Sequence, residues 1–491
     1  MSSSLARNAV YKVILNIFNL LVPLLVGPYI AGLLDKSMYG MYNRIYTEFN
    51  LFFIIGAFGI YNYGMREISK VRDEPQKVNR IFTNLFLCGI ASNLIVGFVY
   101  FIYLLNRSEG LERYVYMIMM IQLIAHMFYI EFVNEAVENY QFITKKTILI
   151  RLLYLVSIFV FVRQKDDIIP YALVICLTVF ANNVCSYFYV RRKIRFDFGD
   201  IRSLPYQLTP ILVTFLLTNV EMLYGQLDKL LLGAFVSDVS VTEYVLPTTL
   251  MGMVCTLPMA VISVAIPRLS NLIGDRENDA YKATLQNTLN TYMCMIIPMA
   301  FGAAVLAREI MWLYSKGVYT YTYPVLIIAS LIRIVYAYQS VVSNLVMYIN
   351  GLEKQLTIFL LLFGLSNLVM DIVLLALCVF TPVTALLTTG IATTLQVLVS
   401  VCYSKRKLNI NLGFFSKKIR GYFLISALFI PIALAINLMQ LGFIWSMAII
   451  ICICISMYGV FLIKTKDPIL GLLINLLPER VKIIFRKYSK E

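Results

Sequence analysis

The fold is decided by a pattern that is clear in residues 168–203, which read IIPYALVICLTVFANNVCSYFYVRRKIRFDFGDIRS. The first 23 of these residues carry no charged side chain, and five basic side chains follow within the next twelve. A helix of about 20 apolar residues is long enough to cross the hydrocarbon core of a membrane. Because Lys and Arg concentrate on the cytoplasmic side of such helices, this stretch predicts a transmembrane helix that ends in the cytoplasm.

The same pattern recurs along the chain and predicts fourteen transmembrane helices. They lie at residues 10–34, 42–63, 81–105, 114–134, 148–162, 168–190, 206–233, 244–266, 285–306, 323–344, 356–379, 384–403, 422–439 and 444–463. With the N-terminus inside, 32 of the 42 Lys and Arg residues fall on one side of the membrane. We therefore expect an all-α, multi-pass membrane protein with both termini in the cytoplasm.

Composition excludes several functional classes. The net charge of +15 is spread over short loops, as contact with anionic membrane lipids requires, so we expect no nucleic-acid partner. No hydrophilic stretch is long enough for a soluble catalytic domain, and no Gly-rich phosphate loop is present, so the chain is predicted not to be an enzyme. The nine cysteines all fall inside apolar spans without the spacing of a metal site, so no metal is predicted.

A weak internal repeat divides the chain into two similar halves. Leu34-Asp35-Lys36 with Gly40 follows the first span, and Leu227-Asp228-Lys229 with Gly233 ends the seventh. The repeat predicts two parallel six-helix bundles around a central cavity, an arrangement typical of transporters. The bundles would occupy residues 1–203 and 204–421, and residues 422–491 would add two further transmembrane helices and a basic tail.

Several motifs resemble one known family, the polysaccharide-transporter branch of the multidrug/oligosaccharidyl-lipid/polysaccharide exporters. They are Gly27-Pro28-Tyr29-Ile30, Tyr63-Gly64-Met65-Arg66-Glu67-Ile68, Leu227-Asp228-Lys229 and Ile266-Pro267-Arg268-Leu269-Ser270. The chain departs from the family pattern at Gly32-Leu33-Leu34 and at Thr242-Glu243-Tyr244, and these differences leave the substrate open.

The resemblance implies a flippase of the Wzx type in the bacterial cytoplasmic membrane. Such a protein moves a polyprenyl-pyrophosphate-linked oligosaccharide by alternating access, for capsule, exopolysaccharide or O-antigen synthesis. Its partners would be the lipid-linked glycan, membrane lipids, and a polymerase or other glycan-assembly proteins. No cofactor is implied, and coupling to a proton or sodium gradient stays open. The alternatives are a flippase for a peptidoglycan precursor or teichoic acid, a cation or drug antiporter on the same fold, and a nontransporting scaffold for glycan assembly.

Polar side chains within the apolar spans are the candidates for lining the central cavity. An unpaired charge at the centre of a bilayer costs about 2.5 to 3.5 kcal/mol, so ionisable groups there are expected to face the interior of the bundle. The candidates are Arg333, Asp371, Glu221, Glu48, Ser340, Asn344, Asn16 and Asn19. Arg333 is predicted to contact the anionic group of the substrate, and an ion pair with Asp371 or Glu221 is the alternative.

The two repeated turns are predicted to form a gate. Asp35 and Lys36 in the first half and Asp228 and Lys229 in the second are expected to pair when the outer side is closed. Pro23 and Pro210 each remove a backbone hydrogen bond from a helix and can localise the bending that gating needs.

The predicted topology can be tested by labelling single cysteines in intact cells. Cysteine at Ser108 should react with an impermeant thiol reagent added outside, and cysteine at Ser203 should not, because the Arg191 to Arg202 loop is expected in the cytoplasm. Reaction at Ser203 alone would refute this orientation.

Overall fold

The computed structural model describes residues 2–107, 109–199, 204–256, 258–274, 277–410 and 412–467. All regular secondary structure in these ranges is helical. The basic tail predicted at the C-terminus lies outside them.

The chain divides into two compact units. The first consists of Met1–Thr242 with Tyr314–Lys316, and the second of Glu243–Leu313 with Gly317–Glu491. The bundle boundaries predicted after residues 203 and 421 stay predictions.

The helices follow one another with short connections. The first nine are α1 (Ser2–Leu33), α2 (Lys36–Ala57), α3 (Ile60–Lys70), α4 (Pro75–Arg107), α5 (Gly110–His126), α6 (Glu131–Ala136), α7 (Tyr140–Phe161), α8 (Ile168–Arg191) and α9 (Leu204–Phe235). The others are α10 (Asp238–Val254), α11 (Met259–Gly274), α12 (Asn278–Val305), α13 (Ala307–Ser315), α14 (Tyr323–Ser340), α15 (Glu353–Ala376), α16 (Pro382–Leu408), α17 (Lys417–Ala427), α18 (Phe429–Leu438) and α19 (Phe443–Lys464).

Ten stretches of the described chain are long and apolar enough to cross a membrane, or eleven if the bent pair α10 and α11 is one span. Helices α2, α7 and α9 form at the predicted spans 42–63, 148–162 and 206–233 but are not among the ten. Charged side chains inside α2 and α7 lower their hydropathy. The structure therefore confirms an all-helical, multi-pass protein, and the number fourteen stays a prediction.

The distribution of apolar side chains is that of a protein surrounded by lipid. Helix α15 exposes Ile358, Leu362, Leu365 and Val369 at intervals of three or four residues, whereas its buried side chains include Asn367 and Asp371. A surface helix of a water-soluble protein has the opposite arrangement, with its apolar stripe turned inward. Polar groups in this helix therefore face the protein interior.

The span predicted at residues 42–63 is broken. Helix α2 ends at Ala57, Phe58 and Gly59 adopt left-handed conformations with φ of 45° and 68°, and α3 begins at Ile60. A Cβ atom on Gly59 would lie 2.8 Å from the Cα of Phe215 in α9. Glycine is needed here because it tolerates positive φ and lets the two backbones approach closely.

Two further irregularities lie in helices predicted to be regular. The segment Val341–Tyr348, which continues α14, is π-helical. Helices α10 and α11 are bent by 54° across a break that contains Pro258. Proline accounts for the second irregularity because it cannot donate a backbone hydrogen bond.

Candidate functional site

A cavity of about 480 Å³ lies inside the first unit. Side chains of α1, α6, α7 and α8 line it, together with Tyr129 from the turn between α5 and α6. Four of the lining residues are ionisable at neutral pH, namely Glu131, Glu135, Lys146 and Arg151. Amides and hydroxyls complete the polar lining, and they belong to Asn19, Thr147, Tyr154, Thr178 and Asn182.

The charge of Lys146 is already compensated within the protein. Its Nζ atom lies 2.5 Å from Oε2 of Glu131 and 2.6 Å from Oγ of Ser186, and Ser186 donates a hydrogen bond to the same carboxylate oxygen. The Lys146 and Glu131 residues are both only 8% exposed. Removing one partner of such a buried pair would leave the other charge without compensation. This cluster therefore holds α6, α7 and α8 together.

Arg151 and Glu135 line the same cavity but differ from Lys146 and Glu131 in their hydrogen-bond and ion-pair partners. Arg151 is half-buried, and among the described residues no side chain or carbonyl forms an ion pair or hydrogen bond with its guanidinium. Glu135 lies one helical turn after Glu131 on the same face of α6 and accepts a hydrogen bond from Tyr61. The cavity thus contains the paired residues Glu131 and Lys146. It also contains Glu135 and Arg151, whose charged groups can bind a ligand.

A second cluster of charges surrounds Arg44 in α2. Its Nε lies 2.7 Å from Oδ1 of Asp238, and its Nη2 lies 2.7 Å from Oε1 of Glu112. Nη1 lies 3.4 Å from Oε1 of Glu48. Tyr116 donates a hydrogen bond of 2.5 Å to the other oxygen of Glu48. We name these five residues the Arg44 cluster; it joins α2 to α5 and to the first turn of α10.

The contact between α2 and the start of α10 is unusually close. A Cβ atom on Gly40 would lie 2.7 Å from the carbonyl carbon of Asp238, and one on Gly233 would lie 2.9 Å from Cγ of Arg44. Beside them the side-chain amide of Asn43 donates a hydrogen bond of 2.7 Å to Oγ1 of Thr242. Gly40 and Gly233 are the glycines of the internal repeat, so both repeated turns contribute to this junction.

In the second unit Arg333 lies on α14 and is half-buried. Its Nη2 donates a hydrogen bond of 3.1 Å to the carbonyl oxygen of Thr248, and its Cζ lies 5.3 Å from the ring centre of Tyr336. No carboxylate of the described side chains lies within ion-pair distance of it. The guanidinium therefore keeps donors for an anionic ligand, and the ion pair with Asp371 that the sequence left open is not formed.

Asp371 is completely buried between α15 and α16. It accepts hydrogen bonds of 2.6 Å from Oγ1 of Thr388 and 3.3 Å from the amide of Asn367. A carboxylate with such partners can persist inside a protein because its charge is met by donors.

The other predicted cavity residues lie in several environments. Asn19 lines the cavity of the first unit, whereas Asn16 is exposed on α1. Glu48 belongs to the Arg44 cluster. Ser340 donates to the sulfur of Met259, and Asn344 to the carbonyl of Ser340. The side chain of Glu221 lies outside the described residues.

The predicted gate residues are not arranged as simple surface charges. Asp35 is the N-cap of α2, where its carboxylate accepts hydrogen bonds from the backbone amides of Ser37 and Met38. Asp228 is only 1% exposed, and Lys229 donates to Gln226 in the same helix. Lys36 is the first residue of α2, and Pro23 and Pro210 lie inside α1 and α9.

Four residues that the structure brings to prominence are not among the predicted site residues. Lys146 lies just before the predicted span 148–162, and Arg151 and Arg44 lie inside the predicted spans 148–162 and 42–63. Glu131 lay near the end of a predicted span without a proposed partner. One feature of the sequence could have indicated this site. Glu131 and Glu135 lie one helical turn apart at an apolar segment, so their carboxylates need a cationic neighbour.

Comparisons with known proteins identify relatives of the chain. A sequence profile described as "Polysaccharide biosynthesis protein" matches residues 5–273. The "Putative O-antigen transporter" of Escherichia coli (strain K12) is 25% identical over 170 residues, which make up 34% of this chain and 40% of that protein. The match therefore spans less than half of that relative.

Two solved structures share the fold. The lipid II flippase MurJ in an inward closed conformation superposes with a TM-score of 0.72 at 17% identity, over 94% of this chain and 100% of that one. A multidrug resistance transporter of the MATE family, inward-facing, gives a TM-score of 0.57 at 11% identity, over 79% and 98%. At these identities the likeness concerns the fold alone.

The Arg44 cluster can be tested by a change that removes its single cation. Arg44→Gln leaves Glu48, Glu112 and Asp238 close together without their counter-charge and should lower the free energy of unfolding by about 3 kcal/mol. The measurement is the melting temperature of the purified protein in detergent. Arg66→Gln is the control, because its side chain is 57% exposed beside Glu67 and should contribute about 0 to 1 kcal/mol. Equal melting temperatures for the two variants would contradict the importance of the cluster.

Proposed function

Because the chain belongs to the polysaccharide biosynthesis protein family and has the fold of the multidrug/oligosaccharidyl-lipid/polysaccharide transporters, we propose that it is a flippase for a lipid-linked oligosaccharide. The substrate would be an oligosaccharide joined through pyrophosphate to a polyprenyl chain, moved across a bacterial cytoplasmic membrane by alternating access. The observation that supports this proposal most is the polar cavity of about 480 Å³ inside a unit built from apolar helices.

The physical problem of such a reaction is the transfer of sugar hydroxyls through hydrocarbon. A hydroxyl moved from water into an apolar medium without a hydrogen-bond partner costs roughly 2 to 7 kcal/mol. The cavity offers carboxylates, amides and a guanidinium that can replace water around such groups. Its volume lies in the range of about 300 to 1,000 Å³ that is usual for small-molecule sites.

The pyrophosphate of the substrate needs a cation, and we assign this role to Arg333. Its contact to a neutral carbonyl oxygen leaves its positive charge uncompensated among the described side chains. A guanidinium binds phosphate oxygens through two parallel hydrogen bonds, a geometry that lysine does not reproduce.

Alternating access requires that the tight junction between α2 and α10 can open. We assign the closing contact to the Arg44 cluster and the Asn43–Thr242 hydrogen bond in place of the Asp35, Lys36, Asp228 and Lys229 set. Charge-assisted hydrogen bonds are strong enough to favour one conformation and can be exchanged for water when the junction opens.

The alternatives make different demands on the molecule. A nontransporting scaffold has no need of a polar cavity within apolar helices. A cation antiporter is expected to have a cavity with carboxylates alone, whereas this cavity contains as many bases, Lys146 and Arg151, as acids. A flippase for lipid II or a teichoic-acid intermediate would use the same physical chemistry, so the choice among glycans is left to the assay below.

The proposal is tested with purified protein in liposomes. Fluorescent polyprenyl pyrophosphates that carry an oligosaccharide, lipid II, or no sugar are incorporated, and protection from an external quencher reports flipping. Faster flipping of the oligosaccharide lipid than in protein-free liposomes is expected. Flipping of lipid II alone would replace the proposed substrate, and no flipping of any lipid would refute the function.

Arg333 provides the sharpest single test. Arg333→Lys should lose most of the flipping rate, because lysine keeps the charge but not the two-pronged geometry, and Arg333→Ala should lose nearly all. The control is Arg420→Ala, an exposed arginine of the second unit. All variants are first checked for membrane insertion and for unchanged melting temperature. Full flipping by Arg333→Ala would exclude contact with the pyrophosphate.

A further inference from the structure

We infer that His126, at the C-terminal end of α5, is a proton-binding site whose occupancy is coupled to the break between α2 and α3. It is the only histidine of the chain, and histidine is the side chain whose charge usually changes near neutral pH. All the residues involved belong to the first unit. The consequence for transport rests on the proposed flippase function, whereas proton binding and its effect on the break do not.

The hydrogen bonds of Asn93 decide which ring nitrogen of His126 carries a proton. The side-chain amide nitrogen of Asn93 donates to the carbonyl oxygens of Gly56, at 3.2 Å, and Gly89, at 2.8 Å. Its side-chain oxygen, which can only accept, lies 3.2 Å from Nδ1 of His126. Nδ1 must therefore donate, and the neutral ring keeps Nε2 as the nitrogen that can take up a proton.

Nε2 of His126 has no hydrogen-bond partner among the described residues. The residue lines a cavity of about 40 Å³ together with Tyr61 and Tyr129, which are the titratable groups that share this cavity with it. A cavity with polar walls needs about 10 to 15 Å³ to hold a water molecule, so water can bind to Nε2 here. The ring packs against Phe53 of α2, Asn93 of α4 and Tyr129, and no carboxylate of the described residues forms an ion pair with it.

Two features of the fold allow the ring to take up a proton. His126 is the last residue of α5, and the dipole of a helix stabilises a positive charge at its C-terminal end. Tyr129 lines both the small cavity and the larger one, and Tyr61 donates a hydrogen bond to Glu135 of the larger cavity. The two tyrosines therefore connect His126 with a carboxylate, which provides a route for a proton.

Asn93 connects His126 to the broken end of α2. Gly56 is the last residue but one of α2, where a carbonyl oxygen has no amide partner within the helix. This oxygen accepts hydrogen bonds of 2.8 Å from the hydroxyl of Ser92 and 3.2 Å from the amide of Asn93. Because the other end of the same amide binds Nδ1 of His126, a movement of the imidazole is transmitted to the end of α2.

Protonation changes which conformation is favoured. In the described conformation an Nε2–H group would have no protein acceptor, and a charge without hydrogen-bond partners is costly in apolar surroundings. A conformation in which the ring reaches the water or the carboxylates of the larger cavity binds the proton more tightly. A ligand shifts a conformational equilibrium toward the state that binds it better. Proton uptake at His126 should therefore move the chain around Phe58 and Gly59, where α2 and α3 are separated.

The proton site is tested first, without any substrate. Because the chain has one histidine, isotope-labelled histidine gives ring-nitrogen NMR signals of His126 alone when the purification tag contains no histidine. The spectra are recorded between about pH 8 and about pH 4, which covers the range in which histidines of folded proteins usually titrate. Nδ1 alone should carry a proton at the basic end, and both nitrogens should carry one at the acidic end. A proton on Nε2 at the basic end, or a ring that stays neutral throughout, would overturn the inference.

The coupling is tested by hydrogen exchange of the backbone amides of residues 54–64, with rates corrected for the chemical effect of pH. In the wild-type protein their exchange should change with the same midpoint as the NMR signals. His126→Gln keeps a donor for Asn93 but has no titrating ring, so the change should disappear. Asn93→Leu removes the connection, so His126 should still titrate while residues 54–64 no longer respond. A response that persists in both variants would refute the coupling.

The effect on transport is measured in the liposome assay at several pH values. The wild-type flipping rate should change about fivefold or more across the midpoint of His126, since coupling between two sites is usually of this size. His126→Gln should flip at a rate that does not depend on pH in this range. Gln122→Met is the matched control, because Gln122 lies one turn earlier on α5 and donates to Cys176, so the wild-type pH dependence should remain.

The measurements separate failure of this inference from failure of the flippase proposal. The same pH dependence of flipping in His126→Gln and in the wild-type protein would overturn the role of His126 while lipid transport stands. NMR and exchange responses in a protein that flips no lipid would instead refute the proposed function and leave the proton site in place.

Discussion

A charge inside a membrane protein must be met by a partner, because neither lipid nor a dry helical interface replaces the water that it loses. This constraint explains where the polar residues of the chain lie. Lys146 is held by Glu131 and Ser186, Arg44 by carboxylates from α2, α5 and α10, and Asp371 by Thr388 and Asn367. Each cluster ties together helices whose apolar faces alone would give little preference for one neighbour over another in lipid.

The same constraint makes the incompletely partnered groups informative. Arg151 and Arg333 are half-buried cations without an ion pair among the described side chains, whereas the more deeply buried Lys146 is fully partnered. Groups that serve the fold are satisfied within the protein, and groups that serve a ligand keep hydrogen-bonding capacity for it. Together with the family membership and the polar cavity, this contrast supports the proposed substrate, which is both hydroxyl-rich and anionic.

Much of the architecture could be predicted from sequence because an apolar run of about 20 residues is a local property that needs no knowledge of neighbours. The motifs around Tyr63-Gly64 and Asp228-Lys229 were sufficient to indicate the family. The break at Gly59 was missed, since its cause is the backbone of Phe215, more than 150 residues away. The clusters of Lys146 and Arg44 were not predicted for the same reason, because their partners lie on other helices. The burial of Asp371 follows from a local pattern, since Asn367 and Gly364 at helical intervals before it are also polar or small and buried; its place in a central cavity stays a prediction.

The contact of Gly40 and Gly233 with the Arg44–Asp238 pair has a mechanical consequence. Side chains that interlock must change rotamer before two helices can separate, but a glycine surface presents no such obstacle. Here the missing Cβ atom of Gly40 sets the distance between α2 and α10, and that of Gly233 sets the approach of α9 to Arg44, whereas the strength of the contact comes from a few polar bonds. Such a joint is stiff while it is closed, yet it can part after a small displacement and re-form without repacking, as the proposed alternating access requires.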